Sequence, residues 1–357
     1  MTLAWFFWDP KIEVFRIPII DRPVVWYGVL FTLGFILAYG LFYMLLKRYF
    51  QTDPRLIKED INGSIIYEIG KKSSKKAGRI LSGYSIEKGS VQELLNHLNS
   101  YINKAKSIEG KLELRKSIED AFSPYIRSLK KKALFISDKF TTYIVLATLI
   151  GARLFHVFFY EKPSFYLTNP LKIFAIWKGG LASHGAAVAI FIAIFLFARN
   201  YRYIRPSIDG IRLLDLIAIP TLCAAVFIRL GNFSGQEILG TETNVFWAVV
   251  FGHPADLSIP TPRHPVTLYE AGFYFFLLIV FLFLTFKTKI LAKRGRTIAL
   301  FFISVFSFRF FIEFFKEKQS QLLQAASGLT MGQYLSIPLV LFGLYLLFFY
   351  NREKEKN

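Results

Sequence analysis

The chain has 357 residues, 54% of them hydrophobic and 39 of them Phe, and its 44 Lys and Arg against 25 Asp and Glu leave a formal net charge of +19. Apolar runs near twenty residues recur where a water-soluble domain would alternate over short stretches, which excludes the soluble globular class. The positive charge lies in hydrophilic segments between those runs, a topology signal at an anionic lipid surface and not a nucleic-acid footprint.

In chain order, seven spans are predicted, roughly 26 to 46, 141 to 160, 180 to 198, 211 to 230, 267 to 286, 297 to 315 and 332 to 350. Each is close to the ~20 residues that cross ~30 Å of hydrocarbon. The fold class is therefore an all-α polytopic membrane protein with seven transmembrane helices. Residues 1–46 hold an N-terminal segment and the first helix, 47–140 a basic insertion, and 141–357 the other six helices. No basic run precedes the first apolar residues, and Asp9 and Pro10 interrupt them, so no cleaved signal is expected.

The segment from Lys47 to Lys139 carries 20 Lys and Arg against 11 Asp and Glu. Apolar residues at helical spacing in VQELLNHLNSYINKAKS and KLELRKSIEDAFSPYIRSLKKKALF predict two amphipathic helices, lying on the membrane surface or on each other. The earlier stretch GKKSSKKAGRILSG is expected to be flexible. No catalytic constellation occurs in the insertion.

Orientation follows from the short loops. Arg199, Arg202 and Arg205 crowd one loop, Lys287, Lys289, Lys293, Arg294 and Arg296 another, and Arg352, Lys354 and Lys356 the tail, whereas the alternate loops are sparse in basic residues. Basic loops stay cytoplasmic, which puts the N-terminus outside, and the C-terminus and insertion inside.

That topology brings the intramembrane polar residues to one level. Tyr27 opens span one, Arg153 and His156 lie in the outer half of span two, and His184 lies near the outer end of span three. Span four delivers Arg229, Gly231, Asn232 and Glu237; Arg263, His264, Tyr269 and Glu270 mark the start of span five; Arg309 and Glu313 lie one turn apart in span six. Asp215, at the opposite end of span four, reads as structural, and the sole cysteine, Cys223, as packing. Arg309 and Glu313 either neutralise one another or belong to a site. The whole set holds more cations than carboxylates, an imbalance that calls for a buried anion. At that depth the natural anion is a phospholipid phosphate, which guanidinium groups grip in bidentate fashion.

The stretch RLGNFSGQEILG, with Arg229, Gly231, Asn232, Glu237 and Gly240 at fixed offsets, resembles the signature of the prolipoprotein diacylglyceryl transferases. Further pieces match in order: WYG from Trp26, GARLFHVFFY from Gly151, GGLASHG from Gly179, RHPVTLYE from Arg263, RFFIEFF from Arg309 and MGQYLSIP from Met331. Ala152 and Ala186 replace two glycines usual in the family, small for small. The long insertion is a larger departure.

The resemblance implies a bacterial inner-membrane enzyme. It would transfer the diacylglyceryl group of phosphatidylglycerol to the lipobox cysteine thiol of a prolipoprotein signal peptide, releasing glycerol phosphate without a cofactor. His184 is then the candidate base, with Tyr27 as the alternative, and Arg229 and Arg309 hold the phosphate. Arg153, Gly231, Asn232, Glu237, His264, Tyr269 and Glu313 are expected to bind or orient the substrate. Plainer readings stand beside these: Arg153 as a helix clamp, His184 as a core histidine, Tyr27 and Tyr269 as interfacial aromatics. The rival classes are an anion or lipid transporter and a lipid-binding scaffold without catalysis.

Overall fold

A computed structural model describes residues 5–18, 21–61, 75–82, 91–123, 125–159, 170–174, 182–288, 290–317 and 328–350, except for the side chains of Ser183 and His184. All seven apolar segments are helical: α1 (Trp26–Phe50), α5 (Leu129–Phe159), α6 (Ser183–Asn200), α7 (Gly210–Ser234), α8 (Val266–Lys287), α9 (Arg296–Ile312) and α10 (Met331–Phe348). Six are long and apolar enough to cross a bilayer; in α6 the apolar stretch is the shorter Gly185–Asn200. Phe35, Ile36, Ile150, Phe158, Ile192, Phe276 and Leu341 are exposed along these helices, an arrangement that lipid tolerates and water does not. The chain is a multi-pass membrane protein.

Two compact units divide it, one of residues 1–42 with 214–357 and one of residues 43–213. In the first, Asp215 is structural in a definite way. Its carboxylate accepts the Gly295 and Ile298 amides at 2.6 and 3.0 Å, capping the positive end of α9. The Cys223 side chain is buried and free. Helices α9 and α10 pack closely enough that a Cβ on Gly343 would stand 2.9 Å from the Ala299 carbonyl oxygen.

This unit also contains strands that the helical reading did not foresee. β1 (Phe6–Trp8) pairs in parallel with β4 (Val249–Phe251), which pairs antiparallel with β5 (Pro262–Arg263). β2 (Glu13–Ile17) and β3 (Arg22–Val25) form a hairpin that leads into α1, where the Trp26 amide donates to the Ile12 carbonyl. Strands of two to five residues among prolines carry almost no periodic signal, which is why they escape a reading built on long apolar runs.

In the second unit α5 begins at Leu129, twelve residues before the predicted span, and its first turns belong to the insertion. Lys132 is buried there against Asp60, at 3.2 Å. Helices α2 (Lys75–Ile80), α3 (Val91–Asn103) and α4 (Ile108–Ala121) enclose a core of Leu56, Ala77, Ile80, Leu94, Leu98, Ile102 and Ile118. The amphipathic helices thus face each other. The expectation of flexibility fails for residues 75–80, which are helical because Ala77 and Ile80 reach this core; residues 70–74 and 83 lie outside the described residues.

Candidate active site

Helix α7 carries the first part of the site. Asn232 can accept from a cation and donate to an anion at once, and it does both. Its Oδ1 accepts from Arg229 Nη1 at 3.2 Å, and its Nδ2 donates to Glu237 Oε2 at 2.8 Å. Gly231 leaves room for α1, since a Cβ there would stand 3.0 Å from Tyr27 Cδ2. The half-buried Tyr27 consequently lies in the electrostatic range of Arg229 and Glu237.

Helix α8 supplies the counter-charge. Glu270 is fully buried; Arg229 Nε lies 2.9 Å from its Oε2, and Lys316 Nζ donates to its Oε1 at 3.0 Å. The Arg229 contact is a charge pair more than an aligned hydrogen bond, because Oε2 has no hydrogen-bond partner of good geometry. Lys316 also donates to Glu313 at 3.2 Å, and Thr330 Oγ1 donates to the other oxygen of Glu313 at 3.0 Å. Gly332 makes this possible, because a Cβ at that position would stand 2.5 Å from the Glu313 carboxyl carbon.

The neutralising pair considered for Arg309 and Glu313 does not form. Helix α9 ends at Ile312 and tightens into a 3₁₀ turn at Glu313–Phe315, where residues three apart eclipse, so Glu313 meets Lys316. Arg309 is half-buried and has no hydrogen-bond or ion-pair partner among the described residues. It shares an electrostatic neighbour, the buried Tyr274, with Arg229 and Glu270. The expected surplus of cations is smaller here than the sequence suggested. In this unit the three carboxylates Glu237, Glu270 and Glu313 match the three cations Arg229, Arg309 and Lys316 in number, and Arg309 is the one of these cations without a hydrogen-bond or ion-pair partner among the described residues.

His264 and Tyr269 form a neighbouring relay. The Trp247 indole donates to the Tyr269 hydroxyl at 2.6 Å, which leaves the phenolic hydrogen free for His264 Nδ1 at 3.2 Å. Burial holds the His264 imidazole below its ordinary pKa, favouring the neutral ring with its hydrogen on Nε2. Gly240 packs directly under the His264 carbonyl, so no side chain fits there. Arg263 is a brace: it donates to the Gly240 carbonyl at 3.2 Å and to Glu317 at 2.8 Å.

The remaining candidates lie in the other unit. Helices α5 and α6 meet at Gly151 and Gly185, where a Cβ on either would collide with the opposing backbone, and the Ala182 amide donates to the Ala152 carbonyl at 3.0 Å. His184 stands in the first turn of α6. The buried Arg153 donates to the carbonyls of Ile173 and Lys172 at 2.8 and 2.6 Å, clamping the turn Pro170–Phe174. Glu270, Lys316 and Thr330 are the site members absent from the candidate list. Glu270 lay within a matched motif, but its central place depends on two long-range contacts invisible in sequence.

Residues 123–349 match the family model described as prolipoprotein diacylglyceryl transferase. The phosphatidylglycerol–prolipoprotein diacylglyceryl transferase of Protochlamydia amoebophila (strain UWE25) is 38% identical over 362 aligned residues, covering 97% of this chain and 95% of that protein. That of Tolumonas auensis is 44% identical over 221 residues, covering 61% and 81%. That of Chlamydia trachomatis serovar D is 39% identical over 228 residues, covering 64% and 82%. On the family match and the near full-length similarity together, the chain belongs to the prolipoprotein diacylglyceryl transferase family.

Proposed function

We propose that this protein transfers the diacylglyceryl group of phosphatidylglycerol to the cysteine thiol of a prolipoprotein lipobox, forming a thioether and releasing glycerol phosphate. Besides family membership, one observation carries the reading: a half-buried guanidinium, Arg309, without a partner among the described residues, beside a second one, Arg229, that is already oriented by Glu270 and Asn232. An unpaired buried cation is costly unless a ligand completes it, and a phosphate diester offers two non-bridging oxygens that accept the paired N–H donors of a planar guanidinium.

In the reaction the cysteine sulfur forms a bond to the lipid glycerol carbon that bears the phosphate ester. That C–O bond breaks, and its electron pair leaves on the phosphate oxygen of glycerol phosphate. Arg229 and Arg309 stabilise the charge gained there. The thiol proton passes to a base, because a thiol of pKa about 8.5 is mostly protonated at neutral pH. Histidine, with a reference pKa of about 6.5, suits that role, which makes His184 the candidate, and Tyr27 is the alternative or a positioning group. Asn232, Glu237 and Glu313 orient the cations, and Gly231, His264, Tyr269 and Arg153 are the further substrate-binding residues of this reading. No cofactor is required, since the lipid carries its own leaving group.

The proposed setting is the bacterial cytoplasmic membrane, with seven crossings, the N-terminus and the site toward the outside, and the insertion and C-terminus in the cytoplasm. The strongly basic loops support this orientation. The partners are phosphatidylglycerol and signal peptides bearing a lipobox cysteine, with no nucleic acid.

Purified protein incubated with phosphatidylglycerol and a lipobox peptide tests the reading by mass spectrometry. A diacylglyceryl mass on the cysteine, with one glycerol phosphate released per adduct, is expected. An unmodified peptide alongside a folded protein that binds phosphatidylglycerol would overturn it in favour of the scaffold or transport classes.

A further inference from the structure

Helix α7 ends in a Schellman motif, and the residue at its left-handed position is unusual. The Glu237 amide donates to the Asn232 carbonyl at 2.9 Å and the Gln236 amide to the Phe233 carbonyl at 3.1 Å, the two bonds that define this cap. The position between them requires positive φ, which glycine adopts freely and other residues adopt at a cost. Here it is Gln236, with φ of 53°. Where a local preference is overridden, the side chain that overrides it usually has a task.

The task is visible in the contacts of Gln236. Its side chain is completely buried, and both ends of its amide are engaged. Nε2 donates to Asp9 Oδ1 at 3.2 Å, just beyond β1, and Oε1 accepts from the His253 amide at 2.8 Å, just beyond β4. Asp9 Oδ1 also meets His253 Nδ1 at 2.6 Å. The Gln236 carbonyl accepts the Ala255 amide at 3.1 Å, and the Trp8 indole donates to the Phe233 carbonyl at 3.2 Å. The turn that carries Glu237 is therefore fastened on one side to the N-terminal strand and on the other to the loop after β4.

We infer that Gln236, held by Asp9, is a positioning residue for the transfer reaction: it fixes the turn that aims Glu237 at Asn232 and, through Asn232, orients the Arg229 guanidinium. The inference rests on the transferase reading above. Gln236 touches no reacting atom. Its effect travels by contacts already described, from the clamped turn to the Glu237 carboxylate, the Asn232 amide and Arg229 Nη1.

Gln236→Gly is the informative substitution, because glycine suits the left-handed backbone and so keeps the cap while removing both side-chain anchors. Adduct formation is measured on purified full-length protein for wild type, Gln236→Gly, Glu237→Gln and the double variant, with thermal unfolding recorded for each. We expect Gln236→Gly to melt near the wild-type temperature and to lose roughly tenfold in kcat, a loss expected of slight misalignment, with the KM for the peptide unchanged. In the Glu237→Gln background the same change should cost little further, because the path it acts through is already cut. Asp9→Ala should reproduce the loss, and Asp9→Asn, which retains an acceptor for Gln236, should restore most of the activity. Wild-type kcat in Gln236→Gly, or losses that simply multiply in the double variant, would overturn the positioning role. Absence of any adduct with wild-type protein would instead overturn the transferase reading itself.

Discussion

Glu270 binds Arg229 through one carboxylate oxygen and Lys316 through the other, at 2.9 and 3.0 Å, and is itself fully buried. One carboxylate thereby joins α7 to the turn that follows α9. Removing one partner of a buried pair leaves charge uncompensated, at a cost of about 3–5 kcal/mol. Glu270→Ala should lower the unfolding temperature in detergent by several degrees and abolish transfer, with Glu270→Gln intermediate in stability. An unchanged melting curve for Glu270→Ala would contradict the bridging role.

Gly231→Ala should act on Tyr27. The new methyl would stand 3.0 Å from the ring, closer than nearly all real contacts, so the ring or α1 must shift. Steady-state kinetics should show transfer falling by roughly tenfold to a hundredfold, the scale expected of a ~1 Å misplacement. The protein should still fold and bind phosphatidylglycerol. Full activity in this variant would mean that Tyr27 has no positional role.

Acid should release β1. The His253 side chain hydrogen-bonds Asp9 and holds its carboxyl below the usual carboxylate range, with Gln236 adding to the effect. A depressed folded pKa stabilises at pH above the unfolded value of about 3.9 and loses that contribution as pH falls through the folded value. Hydrogen exchange at the Gly252 amide, which donates to the Trp8 carbonyl, reports the latch. Its protection should be steady through neutral and mildly acid pH and fall only in strong acid. Loss of protection already in mildly acid solution would contradict control by the Asp9 carboxylate.

The insertion is expected to be dispensable for chemistry. Asp60 is buried between Arg115 and Lys132; Arg115 keeps its ion pair with Glu119, so Asp60→Ala strands chiefly the buried Lys132 in the core of the insertion. Limited proteolysis should then cut within residues 56–126 while adduct formation persists. Loss of all turnover with intact membrane helices would refute this.

Much of the architecture was legible because lipid imposes a coarse rule: backbone groups must be satisfied within each segment, so long apolar runs become helices. The matched motifs likewise point to Arg229, Asn232, Glu237 and Arg309, and the fold joins the first three of these by hydrogen bonds. What escaped depended on distance in sequence. Lys316 reaches Glu270 across 46 positions, Gln236 reaches Asp9 across 227, and β1 pairs with β4 across more than 240. The Arg309 and Glu313 spacing misled because it assumed a helix that continues, whereas α9 tightens at Glu313 and turns that carboxylate toward Lys316. A charge count along the chain also does not show pairing: the fold sets Glu270 against both Arg229 and Lys316.

The most direct test of the account is single-turnover transfer by Arg309→Ala and Arg309→Lys beside wild type, with phosphatidylglycerol binding measured in parallel. If the unpaired guanidinium grips the phosphate, Arg309→Ala should lose the lipid adduct by at least about a hundredfold, the scale of removing a preorganised charge-stabilising donor. Arg309→Lys should recover little, because an ammonium keeps the charge without the bidentate fork. Wild-type adduct formation in Arg309→Ala would contradict the phosphate site and with it the proposed mechanism.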